Sequence, residues 1–173
     1  MNESFLLESP ALAEVSLRTA APSDCEDLRA WKNDHRQYFF FQDIITPEMQ
    51  QKWFAAYQDR PDDFMFMVLD RGQAVGCMAF RLRDEQADVY NVILGSPQHG
   101  GRGVMAKAMA LMCSFARERL NRPVVARVLK VNPAMGWYQR RGFAIEAEED
   151  VHYFIRLAEG FSPVPVARKE IDA

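Results

Sequence analysis

The stretch "PQHGGRGVMAKAM", Pro97 to Met109, sets Gly100, Gly101 and Gly103 around Arg102 and then turns into an apolar-periodic helix. A helix start leaves backbone N–H groups unpaired and carries partial positive charge, so it attracts anions. Glycine lets that backbone approach a ligand closely, because no Cβ intervenes. The first turns carry Arg102 and Lys107, and no acid stands before Glu118. A helix that satisfies itself places Asp or Glu there. This one leaves its N-terminus to an external anion, and the expected chemistry is phosphate binding.

Three kinds of phosphate ligand compete. A nucleoside-triphosphate loop needs G-x-x-x-x-G-K-[ST], and the sequence has no such string. The dinucleotide spacing G-x-G-x-x-G/A is met by Gly101, Gly103 and Ala106. That fold also wants an acid at the end of the next strand to hold a ribose, and the next strand ends "VLKVN". It further wants parallel strands before the turn, whereas the pattern here is antiparallel. The third candidate is the pyrophosphate of coenzyme A. One helix and one strand downstream lies a second cluster, "NPAMGWYQRRGF", with Asn132, Tyr138, Arg140, Gly142 and Phe143. Taken alone, its tyrosine reads as a core residue of an amphipathic helix.

The elements that must position these residues follow from periodicity. "EVSLRTA" alternates as a first strand. Ser23 and Glu26 are spaced as a capping box for a first helix, with Leu28 and Trp31 on its inner face. Thr46 and Pro47 open a second helix as N-cap and first residue, with Met49, Trp53 and Tyr57 as its apolar stripe. "DFMFMVLD", "AVGCMAFRLR" and "ADVYNVILG" read as an antiparallel meander, the first strand covered on both faces. A helix from about Gly103 to Leu120 then buries Val104, Ala108, Leu111, Met112 and Phe115. "RPVVARVLKVN" is a strand, "PAMGWYQRRG" a short helix stopped by Gly142, and "FAIEAEED" with "VHYFIRLAE" a closing hairpin. Residues 1–13 read as a frayed leader and residues 160–173 as a loose Pro-containing tail.

Composition narrows the function classes. The 173 residues make one domain, 49% hydrophobic and 26% charged. A net charge of −3 gives no case for nucleic acid, and no apolar run approaches a membrane span. The start lacks the basic region of a secretory signal. Cys25, Cys77 and Cys113 are scattered through apolar patterns, which fits reduced thiols and a cytoplasmic location. His35, His99 and His152 lack metal-ligand spacing, so no metal is expected.

The two clusters, in this order and at this separation, resemble the GNAT superfamily of N-acetyltransferases. Its signature Q/R-x-x-G-x-G/A, between the fourth strand and the next helix, is matched in register by Gln98, Gly101 and Gly103. Its downstream Asn, Tyr, basic residue and Gly-Phe are matched by Asn132, Tyr138, Arg140, Gly142 and Phe143. The similarity runs over about residues 14–158. It implies an α/β (α+β) single-domain fold, residues 14–159. The fold has a mixed, mostly antiparallel sheet of about seven strands and about four flanking helices. Its fourth and fifth strands splay apart.

The resemblance also implies acetyl-CoA as cosubstrate and acetyl transfer to a small-molecule amine by direct attack in a ternary complex. Gln98, His99, Gly100, Gly101, Arg102, Gly103, Val104 and Met105 would surround the pyrophosphate. Val92, Ile93 and Leu94 would pair with the pantetheine arm, which Asn132 orients, and Arg140 joins the cofactor-binding set. Tyr138 would protonate the departing thiolate. Many relatives carry a Glu in the fourth strand where this chain has Tyr90; Asp88 is the nearest acid on the same face. That Glu would serve as the base for the attacking amine; Asp88 and Tyr90 are therefore the candidates for the position, Asp88 being read otherwise as a solvated strand-end carboxylate.

The stretch "WKNDHRQYFFFQDIITPEMQQKWF" is similar to the branch acting on nucleotide-linked amino sugars. More loosely, it is similar to the branch acting on ribosomal protein N-termini. Lys32 stands where an Arg is usual, and Met49-Gln50 replace an acid-His pair. Tyr38 to Phe41 either wall an acceptor pocket or belong to the core. His152 either faces the acceptor or is a surface strand residue. A catalytically silent acyl-CoA-binding relative is the other reading, and the family leaves monomer or homodimer open.

Overall fold

The computed structural model describes residues 2–172. Nine strands form one sheet: β1 (Phe5–Glu8), β2 (Val15–Thr19), β3 (Asp63–Asp70), β4 (Gln73–Arg83), β5 (Gln86–Leu94), β6 (Val124–Leu129), β7 (Phe143–Glu148), β8 (His152–Leu157) and β9 (Ala167–Glu170). The four α-helices are α1 (Cys25–Asp34), α2 (Pro47–Gln58), α3 (Val104–Ser114) and α4 (Met135–Arg140). The strand order is β7-β8-β6-β5-β4-β3-β2-β1-β9. All neighbours are antiparallel except β5 and β6.

The sheet is covered on both faces, which explains the uninterrupted apolar run of β3. Phe66 and Val68 join α3 and α4 in one core, while Met65, Met67 and Leu69 join Leu28, Trp31, Phe54 and Tyr57 of α1 and α2 in the other. The sheet has nine strands, not about seven, because both expected loose ends are strands. Phe5 and Leu7 are fully buried, and Phe5 packs on Phe115 at 5.8 Å between ring centroids. β9 then pairs along all of β1. Its Arg168 bonds Glu3 and covers the Phe5 ring, and its Lys169 pairs with Glu8, so the open edge is charged. Strands of four residues are too short for alternation to announce them.

Local details at the first two helices also differ. The Ser23–Glu26 capping box does not form. Asp24 instead accepts from the Ala21 N–H at 2.7 Å and is held bidentately by Arg18, and a short 3₁₀ turn precedes α1. Thr46 caps α2 as expected, accepting from Met49 N–H at 3.2 Å. The buried stripe of α2 is Gln50, Phe54 and Tyr57, with Met49 exposed and Trp53 stacked on Tyr57.

Three features of β5 determine where space opens in the fold. Its parallel pairing with β6 runs only from Ala87–Val124 to Val89–Ala126, after which the two strands part. Between Tyr90 and Ile93 it holds one residue more than β4 does opposite, a bulge at which Asn91 takes a positive φ of 50°. Past its end, Gly95 lies against the Trp31 indole of α1; a Cβ there would stand 2.0 Å from the ring.

Candidate active site

The parting of β5 and β6 opens a cleft of about 670 Å³. Val92, Ile93 and Leu94 line one wall and Asn132, Trp137 and Tyr138 the other. At one end the glycine turn closes it. Gly101 and Gly103 have φ of 80° and 73°, and a Cβ on either would meet nothing within 4 Å. Their backbone is therefore bare and open. Gly103 is the N-cap of α3, has no side-chain cap, and no acid follows in the first turn. The first N–H groups of α3 are left for an anion, and the residues present fit a pyrophosphate there.

On the opposite wall, Asn132 Oδ1 accepts from the Ala134 N–H at 2.9 Å. That bond fixes the start of α4 and leaves the Asn132 amide N–H₂ to donate. One turn on, Tyr138 is buried beside Phe143 and Trp137, both edge-on. Burial pushes its phenol well up, helped by the nearby Cys113 thiol, so it stays protonated throughout the neutral range. Among the described residues no protein group hydrogen-bonds its hydroxyl, which leaves the O–H for the cleft.

Residues 14–144 match the family described as the acetyltransferase (GNAT) domain. The chain belongs to the GNAT acetyltransferase family. Its members generally act as acetyl-CoA-dependent acyltransferases. Solved structures of the same fold include spermidine N-acetyltransferase from Vibrio cholerae in complex with CoA and spermine. It is 18% identical, with a TM-score of 0.71 over 83% of this chain and 94% of that one. FdhC, a nucleotide-linked sugar GNAT, is 15% identical, with a TM-score of 0.69 over 83% and 85%. RimL, a ribosomal L7/L12 alpha-N-protein acetyltransferase, is 14% identical, with a TM-score of 0.67 over 95% of both chains. At these identities the likeness establishes the fold alone. No curated protein matches the chain in sequence.

In this GNAT domain the sequence-predicted cofactor set divides. Val92, Ile93, Leu94, His99, Gly100, Gly101, Gly103, Val104, Met105, Asn132 and Tyr138 line the cleft. Gln98, Arg102 and Arg140 do not; Gln98 and Arg140 are exposed, and it is Arg141 that lines the wall. Arg102 is engaged elsewhere. It donates to Asp70, the buried last residue of β3, and His99 Nδ1 meets the same carboxylate at 3.0 Å. Burial raises the Asp70 carboxyl, but His99 and Arg102 outweigh it and hold the group below its ordinary value. Asp70 thus anchors the glycine turn from behind, a role invisible in sequence because β3 and the turn lie about thirty residues apart.

Neither candidate for the vacant Glu position reaches the cleft. Asp88 sits where β5 and β6 are still paired, bonded to Arg127 at 2.9 Å, and lines no part of the cleft. Burial raises its carboxyl, and Arg127 and Arg83 only partly offset this. The Tyr90 hydroxyl donates to buried Asp63, which also accepts from Arg81 at 2.7 Å. Burial and the Asp63 charge push the Tyr90 phenol far up. Among the described residues no Asp or Glu lines the cleft. His35 does, at the end of α1 with Tyr38 and Phe39. Its Nδ1 is 2.9 Å from Trp31 O, so Nδ1 carries the proton and Nε2 is an acceptor. Phe40 is exposed and meets His152 edge-on at 5.4 Å.

A second cavity of about 350 Å³ lies on the α1/α2 face of β5. It shares Ile93 with the cleft. Phe41, Met49, Trp53, Cys77, Tyr90 and Asn91 contribute to its walls, together with Lys32. The loop after α1 is therefore divided: Tyr38 and Phe39 line the cleft and Phe41 the second cavity.

Proposed function

We propose that this chain is an acetyl-CoA-dependent N-acetyltransferase acting on the primary amine of a small molecule, an amino sugar, free or nucleotide-linked, being the first class to test. The reading is carried by the parted strands: past Val89 and Ala126 the β5 edge loses its partner where Tyr138, Asn132 and an uncapped, glycine-cradled α3 converge. A strand edge without a partner offers N–H and C=O groups to an extended, amide-bearing arm.

Bound acetyl-CoA supplies a thioester carbonyl that an amine attacks and a thiolate that leaves. The chain's residues handle charge and protons. Backbone N–H groups of the glycine turn and α3 take the pyrophosphate, and a free N–H on the Val92–Leu94 edge donates to the carbonyl oxygen. His35 Nε2 takes the proton that the ammonium must lose before its nitrogen can attack, and passes it to water. The C–N bond forms as the C–S bond breaks. Tyr138 gives its phenolic proton to the thiolate and recovers one from the amide nitrogen as that becomes neutral. One proton is released per turnover.

The test is thiol release from acetyl-CoA across amino sugars, nucleotide-linked amino sugars, polyamines, amino acids and N-terminal peptides. Tyr138→Phe should lower kcat by roughly 10²–10⁴ with acetyl-CoA binding retained. Acetyl-CoA at about 100 times its Kd should stabilise the fold by about 2.7 kcal/mol, and NAD should not. Stabilisation without thiol release on any acceptor would replace this reading with that of a silent acyl-CoA binder.

A further inference from the structure

The bulge in β5 builds a second polar feature beside the cleft. Because one residue is added between Tyr90 and Ile93, the strand's alternation is reset there: Ile93 joins Tyr90 on the α1/α2 face, while Val92 turns to the cleft. Asn91, at the bulge, takes the left-handed conformation that asparagine tolerates best among residues with a Cβ. Its Oδ1 accepts from the Lys32 ammonium of α1. The same ammonium lies 3.6 Å above the centroid of the Phe39 ring. Phe39 lines the cleft and Lys32 the second cavity, so this trio forms part of the partition between the two.

Lys32 makes no ion pair with any carboxylate among the described residues, and no Asp or Glu lines either cavity. A buried cation is ordinarily paired, since desolvation without a counter-charge is costly. Burial indeed pulls this ammonium down to about 8, which still leaves it mostly charged at neutral pH. Asn91 uses one N–H donor and the Phe39 face screens one side. The remaining N–H direction has no acceptor among the described residues. Most of the rest of the cavity is apolar or aromatic, with Leu28, Phe41, Ile45, Met49, Trp53 and Met65; the buried Gln50 amide and the Cys77 thiol are further polar groups in its lining.

We propose that this second cavity is the acceptor subsite, and that Lys32, held by Asn91 and Phe39, binds an anionic group, carboxylate or phosphate, on an acceptor whose body is apolar or aromatic. The proposal rests on the acetyltransferase reading above. It makes a polyamine the wrong acceptor, since the site presents a cation and no acid, and among amino sugars it favours the nucleotide-linked class, which carries phosphate and an aromatic base, over the free one.

Matched pairs test it. L-Phenylalanine against phenethylamine isolates a carboxylate; tyramine phosphate against tyramine isolates a phosphate; spermidine is the cationic control. For each, kcat/KM is measured by thiol release, and equilibrium binding to the CoA-loaded protein by calorimetry. The anionic member of at least one pair should be favoured by roughly 10- to 100-fold, the scale of one charge-assisted hydrogen bond. Spermidine should be poorest. In Lys32→Met the ratio within the pair should fall to about one, and Lys32→Arg should retain most of it. The pair that shows the effect names the anion. A ratio near one in the parent protein, or one that survives in a folded Lys32→Met, overturns the proposal. Lys32-dependent binding preference without thiol release supports the anion site and sinks the transferase reading instead.

Discussion

Replacing Lys32 by Met should change how stability depends on pH. In the folded chain Lys32 is half-buried, and desolvation lowers its ammonium from 10.5 to about 8. That displacement corresponds to about 3 kcal/mol of penalty on the charged form. The folded value lies below the unfolded one, so the unfolded chain holds this proton more tightly. The whole penalty is present below about pH 8 and is removed as pH rises towards 10.5. Between about pH 7 and 9.5 the parent protein should therefore gain roughly 2 kcal/mol relative to Lys32→Met. For a chain of this size that is roughly 4–8 °C in Tm. The neighbouring thiol does not confuse the comparison, because burial pushes Cys77 up to about 12. Urea and thermal melts of both proteins, in one buffer series and without ligand, give the difference curve. A difference that is flat over this range, or that grows the other way, would refute the desolvation of an unpaired ammonium at Lys32.

Three more outcomes follow from the site. Gly95→Ala brings a Cβ to 2.0 Å from the Trp31 ring. It should cost about 1–3 kcal/mol in urea melts and lower turnover as well, since α1 carries Lys32 and ends at His35, its C-cap; parent-like stability would show that α1 does not rest on this glycine. Asp70→Asn releases His99 and Arg102 and should weaken acetyl-CoA binding in calorimetry. Asp70 is held below its ordinary value, so its contribution to stability is lost as pH falls through that lowered value, and the acid-side slope should be shallower in Asp70→Asn. His35→Gln should lower kcat with saturating acceptor while leaving acetyl-CoA affinity in place; an unchanged kcat would return the proton to water or to the substrate itself.

Much of the cleft proposed for the cofactor is legible along the chain, and for one reason. The glycine turn, the uncapped α3, the Asn132 turn and the Thr46–Pro47 cap are each written within a few consecutive residues. Sterics and hydrogen bonding over so short a span do not wait for the rest of the fold. The meander and the closing hairpin are legible likewise, because each is a succession of strand-length runs bounded by turn residues, continuous and apolar in β3.

The features that cannot be read along the chain depend on contacts between distant segments. β1 and β9 exist because Phe5 and Leu7 find the core and each strand finds the other's edge, not because four residues favour a strand. Asp88 is the nearest acid along β5, yet the place where β5 leaves β6 puts it at the closed end with Arg127. Arg102 reads as a phosphate ligand until β3 brings Asp70 behind it. Lys32 and Asn91 lie 59 positions apart. Their meeting, and the desolvation of Lys32, follow from a single-residue bulge and from the docking of α1 on Gly95. The bare glycine turn and the uncapped helix proposed to hold coenzyme A are written in short runs of residues, because that chemistry is local backbone chemistry. Which charges are spent inside the protein, and which are left for an acceptor, is set by the folded arrangement, because burial and pairing exist only once the segments have met.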